Sequence, residues 1–326
     1  MKRRDFLKLS AAAVATSGAI SRTASAQAAA WPSRPVKLII PYAPGGASDI
    51  IGRPWADALS QTFGQSFVIE NRGGAAGMIG VEATAKSAPD GYTFLLTPSA
   101  AMSILPLLRQ TPYDPRKNFL PVARIGDSIA GFVIHPSIGA KTMDETIKYA
   151  KANPGKLIYG SAGLGSIQHM RIEMLKYRAG VDILHVPYRG AADALNDLLP
   201  GNIHMMCEIN GLPHAKAGKL NLLCMNSPDR SPEFPDTPTL TECGYPNSDL
   251  PSWYAIWAPT GTNREIIEKF NAKVTEITAT DSMKAKMRQV SAAPRSGTPA
   301  EIATFLDNDM KNNDELIKAA KIKLEQ

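Results

Sequence analysis

Residues 41–49, Pro-Tyr-Ala-Pro-Gly-Gly-Ala-Ser-Asp, set two stiffening prolines and two glycines ahead of a hydroxyl and a carboxylate. An apolar run precedes them and an amphipathic segment follows. If these are a strand and a helix, the loop opens a helix N-terminus, whose free N–H groups and positive dipole end suit an anion. Ser48 and Asp49 either cap that helix or meet the ligand, since the same residue types dominate ordinary caps. Residues 160–169, Gly-Ser-Ala-Gly-Leu-Gly-Ser-Ile-Gln-His, repeat the arrangement. Gly163 and Gly165 match the first two glycines of a dinucleotide fingerprint. Gln168 stands where the third is needed, and no acid is placed for a ribose. Serine hydroxyls with successive backbone N–H groups instead form a cradle of the reach and polarity a carboxylate needs. His169 is expected to pack or cap within its own helix.

Two further loops carry cations. Residues 70–80 are glycine-rich and contain Arg72, which either pairs a carboxylate ligand or an acid within its own lobe. Residues 186–190 end another apolar run, and Arg189 faces either a cleft or solvent. The sequence has no Gly-x-Ser-x-Gly elbow, His-Glu-x-x-His helix, Walker lysine loop or paired-cysteine metal spacing. The five histidines show no i, i+4 pairing. The expectation is a binding protein and not an enzyme, with no cofactor and no metal.

The elements that must position these loops alternate. Strands are expected over 36–41, 66–70, 92–97, 122–125, 132–135, 157–159, 183–186, 203–207, 220–225 and 253–258. Helices are expected over 48–63, 81–87, 143–152, 168–177, 191–199, 264–279 and 300–321. Short apolar runs between longer amphipathic ones point to β/α units with largely parallel sheets. Ligands of such sheets bind where the βα loops converge. Residues 227–251 read as an ordered loop. The chain is expected to build one lobe, then a second, and to return to the first, crossing near 126–135 and again near 251–258.

Residues 1–26 read as a twin-arginine-type signal peptide. A basic head with Arg3-Arg4, an apolar stretch over 9–20 and Ala24-Ser25-Ala26 come in that order, with cleavage before Gln27. The stretch is too short and too rich in Ala and Ser to span a bilayer. Residues 1–26 hold five basic groups and one acid, hence four of the six net positive charges, and the remainder nets to +2. That balance gives no nucleic-acid surface. Three cysteines, Cys207, Cys224 and Cys243, allow one bridge in an oxidising compartment and do not say which.

The same stretches carry a resemblance. The chain resembles the Bug-type (TctC-like) tripartite tricarboxylate transporter periplasmic solute-binding proteins over essentially all of its length after the signal. Matching segments are 41–49, 68–80 (Val-Ile-Glu-Asn-Arg-Gly-Gly-Ala-Ala-Gly-Met-Ile-Gly), 90–93, 113–115, 160–169, 185–190, 217–220, 235–239 and 253–261. The resemblance implies an α/β, two-lobed type II periplasmic-binding-protein fold, each lobe a doubly wound, mostly parallel sheet flanked by helices. Lobe 1 is then 27–130 with 252–326, and lobe 2 is 131–251. It implies a small carboxylate ligand held by Ala43, Gly45, Gly46, Ala47, Ser48 and Asp49 from one lobe. Ser161, Ala162, Gly163 and Ser166 hold it from the other. Ser99, Tyr188 and Glu208 are the candidates that read its far end. It also implies a periplasmic monomer that delivers ligand to membrane transporter subunits. A sensor using the same clamp is the alternative; an exported cofactor enzyme is a weaker one, lacking a ligand set for flavin, metal or haem. Gly73, Ala76, Met78 and Glu208 depart from the family's usual Pro, Gly, Asn and Asp, and 207–212 departs as a segment.

Overall fold

The computed structural model describes residues 31–246, 248, 252–319 and 322, so the signal peptide expected over 1–26 lies outside the described residues. Two sheets organise the chain from Arg34 onward. The first contains β1 (Val36–Ile40), β2 (Phe67–Asn71), β3 (Thr93–Pro98), β4 (Phe119–Ser128), β10 (Ser252–Pro259) and β11 (Ala292–Ala293). Its spatial order is β11-β4-β10-β3-β1-β2. The second contains β5 (Ala130–Ile134), β6 (Ile158–Ser161), β7 (Leu184–Pro187), β8 (Met205–Glu208) and β9 (Asn221–Asn226), in the order β7-β6-β8-β5-β9. The longer helices are α1 (Ala47–Phe63), α2 (Met78–Ala85), α3 (Met143–Ala152), α4 (Ile167–Ala179), α5 (Ala191–Leu198), α6 (Arg264–Ala279), α7 (Asp281–Gln289) and α8 (Pro299–Ala319). This is the two-lobed type II periplasmic-binding-protein fold expected from the sequence.

The sheets are mixed, where largely parallel ones were expected. The β/α-connected strands pair parallel, β2 and β3 on β1 and β7 and β8 on β6. The strands that join the two sheets pair antiparallel with their neighbours. The strand expected over 122–125 is longer and bulged: β4 runs on to Ser128, and its register against β10 shifts between Tyr254 and Ala255. A Cβ on Gly126 would lie 2.7 Å from the Ala293 carbonyl oxygen, so close approach of β11 requires glycine. Only Ile129 separates β4 from β5. Ser128 pairs with Ser252, and Ala130 pairs with Asn226, so the outgoing and returning chains pass side by side between sheets.

Local pattern accounts for the elements. In α1 the buried residues Ser48, Ile51, Gly52, Trp55, Ala56 and Leu59 recur at helical spacing, and Gly64 ends the helix in the left-handed region (φ 67°). Gly52 lets that face reach β1, since a Cβ there would sit 2.8 Å from Ile40 Cδ1. All eight residues of β10 are buried, as a central strand covered on both faces requires. Trp253, Ala255 and Trp257 pack with Ile302, Leu306 and Met310 of α8. On the opposite face Phe94 meets Phe270 of α6 edge-on, with centroids 4.9 Å apart. Helix α7 and strand β11 lie between the helices expected over 264–279 and 300–321.

Candidate functional site

Three helix N-termini converge on one small cavity between the sheets. Helix α1 follows β1 and presents Gly46, Ala47 and Ser48; α4 follows β6 and presents Ile167 and Gln168; α5 follows β7 and presents Ala191. Ala162, Tyr42, Pro98 and Tyr254 complete the wall. The cavity measures about 20 Å³, room for about one water. No Lys or Arg lines it. The helix ends are what it offers an anion, since each leaves N–H groups without intrahelical partners. Each such end favours an adjacent anion by about 0.3–1 kcal/mol, more when partly buried.

The first loop is shaped by Asp49. Its Oδ2 accepts from the Gly45 N–H (3.0 Å) and Arg53 Nε (2.9 Å), and its Oδ1 from Arg53 Nη2 (3.0 Å) and Asn71 Nδ2 (3.2 Å). Four donors engage a carboxylate's lone pairs fully, so Asp49 builds the loop and does not face the cavity. Asn71 also donates to the Tyr42 carbonyl (3.1 Å), and the Tyr42 hydroxyl donates to the Ala76 carbonyl (3.0 Å). Burial pushes the Tyr42 hydroxyl far above its ordinary pKa, so it is a neutral wall of the site. Ser48 hydrogen-bonds Tyr254 of β10. The 70–80 loop supports this loop from behind, because a Cβ on Gly73 would lie 3.0 Å from the Ala43 nitrogen. Arg72 pairs with Glu70 of its own lobe, which also holds Lys37 at 2.6 Å.

The second loop is shaped by Ser161 and Ser166. Ser161 Oγ accepts the Gly163 N–H (3.1 Å) and shares a hydrogen bond with His185 Nε2 (2.7 Å). His185 stacks on Tyr159 (4.6 Å) and lies against His169 (4.5 Å). Burial holds both imidazoles neutral: His169 is pushed down to about 4, and His185 to about 3 with the help of His169. Ser166 caps α4 by accepting the His169 N–H. Beneath the cavity Gln168 donates to Glu208, whose other oxygen accepts the Ile209 N–H (2.7 Å). Burial raises the Glu208 carboxyl, against the pull of nearby Arg171.

Of the residues singled out from sequence, Gly46, Ala47, Ser48 and Ala162 line the cavity. Ala43, Gly45, Asp49, Ser161, Gly163 and Ser166 shape the loops around it. Ser99, Tyr188 and Glu208 are not brought to the wall. Ser99 is buried at the start of a helical turn, its N–H donating to the Trp253 carbonyl (2.8 Å). The Tyr188 hydroxyl donates to Asp197 (2.7 Å), and burial with that contact pushes it up to about 12. Gln168, Ile167, Ala191, Tyr42, Pro98 and Tyr254 were missed. Ala191 was findable, because residues 186–190 were read as a strand end and 191–199 as a helix. Tyr254 was not, because nothing local places β10 between β3 and β4.

The lobes touch through small residues at this site. A Cβ on Gly190 would sit 2.8 Å from Ala43 Cβ, and one on Gly163 would sit 3.5 Å from the Ala76 nitrogen. Known proteins share this architecture. Protein BugT of Bordetella pertussis is 35% identical over 304 residues, covering 91% of this chain and 92% of its own. The structure of R. palustris Rpa4515 with adipate is 33% identical, with a TM-score of 0.87, covering 90% of this chain and 99% of that one. MatC from Rhodopseudomonas palustris with bound malate is 27% identical, with a TM-score of 0.83, covering 88% and 100%. The profile described as tripartite tricarboxylate transporter family receptor matches residues 51–322. Two paired sheets, βα loops facing across a cleft and this match over most of the length agree, and the chain belongs to the tripartite tricarboxylate transporter receptor family.

Proposed function

We propose that this protein captures a small carboxylate, a di- or tricarboxylate or an aromatic acid, between its two lobes in the periplasm. It then delivers the ligand, as a monomer, to the membrane subunits of a tripartite tricarboxylate-type transporter. The observation that carries the reading is the meeting of three helix N-termini from both sheets at one cavity whose lining has no cationic side chain. Such a site stabilises an anion with neutral donors and excludes a cation. Adipate and malate in the related structures support the carboxylate class. Among the described residues no helix is long and apolar enough to cross a membrane.

In this reading one carboxylate sits against the N–H groups of Gly46, Ala47 and Ser48, and α4 and α5 close over it from the second lobe. A cavity of about 20 Å³ is smaller than any dicarboxylate, so the ligand enters when the lobes part. The lobes, 27–130 with 252–326 and 131–251, move about the crossing strands, where Ser128 pairs with Ser252 and Ala130 with Asn226. The homologues are receptors, which supports a binding role without turnover. A thermal-shift screen against mono-, di- and tricarboxylates and aromatic acids tests this. A true ligand at 100 times its Kd adds about 2.7 kcal/mol of stability. Stabilisation by none of these, with a clear response to sugars or amines, overturns the carboxylate assignment.

A further inference from the structure

Strand geometry sorts the three cysteines, all of which are thiols in this structure. Cys207 of β8 and Cys224 of β9 both pair opposite Phe132, one on each side of β5. Two strand spacings, about 10 Å, separate them, beyond the roughly 7 Å between Cα atoms that a disulfide spans. Cys243 is placed differently. After β9 the chain folds back so that Met225 bridges Thr239 in parallel. The Met225 N–H donates to the Pro238 carbonyl (2.8 Å), and the Leu240 N–H to the Met225 carbonyl (2.9 Å).

A helical turn begins there. Thr239 Oγ1 accepts the Glu242 N–H (3.2 Å) and the Glu242 carboxylate accepts the Thr239 N–H (2.8 Å), a reciprocal cap. Arg230 Nε holds both Glu242 oxygens, at 3.0 and 2.9 Å. The Cys243 N–H then donates to the Thr239 carbonyl (3.1 Å), which turns residue 243 back onto β9. The Cys243 and Cys224 thiols meet in a hydrogen bond, Cys224 buried and Cys243 half-buried.

We propose that Cys224 and Cys243 are an oxidation site that closes to an intramolecular disulfide in an oxidising compartment, while Cys207 remains a thiol. The periplasmic setting rests on the proposed function; the pairing rests on the fold-back of residues 238–243 onto β9 and the contact between the two thiols. The oxidant is a disulfide, either of a protein or of a small thiol such as glutathione. The half-buried Cys243 thiolate, the more accessible of the two, attacks one oxidant sulfur and expels the other as a thiolate, giving a mixed disulfide. Cys224, buried beside Cys243, attacks Cys243 Sγ and expels the second oxidant thiolate, which takes up the Cys224 proton as it leaves. Two S–H bonds are lost and one S–S bond forms, and the two electrons leave on the oxidant as two thiols. The order follows from the environments: the contact with Cys224 holds the Cys243 thiol below its ordinary range, whereas burial raises Cys224. The bond staples the segment after β9, whose residues 226–232 wall the groove behind the chain crossing.

The test uses the whole exported chain, incubated natively with oxidised glutathione and then mapped without reduction. The expected result is a mass lower by two hydrogens and one cross-linked peptide pair joining Cys224 to Cys243. Cys207 alone is then alkylated in denaturant. The oxidised wild type should melt higher than the reduced form by roughly 5 °C, the scale for a short closed loop in a chain of this size. Cys207→Ala should keep the bond and the shift, and Cys243→Ala should lose both. Three alkylatable thiols after native oxidation, a bond involving Cys207, or a dimer linked through Cys243 overturns the proposal. None of these outcomes depends on whether a carboxylate binds.

Discussion

At the scale of single residues, the proposed site presents neutral donors placed by charged or titrating neighbours that do not line its cavity. Asp49 holds the first loop through Gly45, Arg53 and Asn71, and Ser161 holds the second through Gly163 and His185. Ser48 is the one lining hydroxyl in the first turn of α1. Ser48→Ala is expected to weaken carboxylate binding by about 0.5–3 kcal/mol, read by calorimetry, with the fold unchanged. The buried imidazoles give a pH dependence with a defined sign. His169 and His185 titrate near about 4 and about 3 in the fold, against the ordinary 6.5 of the unfolded chain. The unfolded state therefore takes up protons first as pH falls. The stability the pair contributes is complete above about pH 6.5 and is lost progressively as pH falls through about 4 and then about 3. Thermal midpoints across that window should fall, and His185→Gln should flatten the fall. Glu208 has the opposite sign, because its raised carboxyl contributes stability that is lost as pH rises through its folded value.

At the scale of elements, the cleft depends on strands that end in small residues just before helices begin. The β1–α1 and β6–α4 units were legible because apolar runs, glycine-serine loops and amphipathic periods sit side by side in sequence. The third unit, β7–α5, was legible as elements, and Ala191 could have been found from their order, but Gly190-Ala191 carries no chemistry of its own to single it out. Its role comes from packing, a methyl's width from Ala43 of the other lobe. Gly190 has an extended backbone (φ −168°) that any residue adopts, so Gly190→Ala adds steric bulk without backbone strain. The added methyl would sit 2.8 Å from Ala43 Cβ when the lobes are together and meets nothing of the other lobe when they part. The variant is expected to bind about tenfold more weakly or worse, about 1.4 kcal/mol, with its thermal midpoint unchanged. Its ligand-induced contraction in small-angle scattering should be reduced. Tyr188 and Glu208 show the converse limit of sequence reading. Their types suit ligand contact, but local partners, Asp197 for one and Gln168 with the Ile209 N–H for the other, had already claimed them.

At the scale of the whole molecule, two mixed sheets are joined by adjacent antiparallel crossings, and three helix N-termini meet between them. The return of the chain through β10 could be expected from the apolar run over 253–258. Its antiparallel place between β3 and β4 could not, because strand order is set by contacts far apart in sequence. The proposed site recognises the negative charge of a small carboxylate and not merely its shape. Titration calorimetry of one ligand from the thermal-shift screen, beside its fully methylated ester, separates charge from shape. The acid should bind one to one, and the ester, which keeps the carbon skeleton but loses the charge, about 100-fold more weakly, near 2.7 kcal/mol. Equal binding of acid and ester, or preference for the ester, would contradict the account.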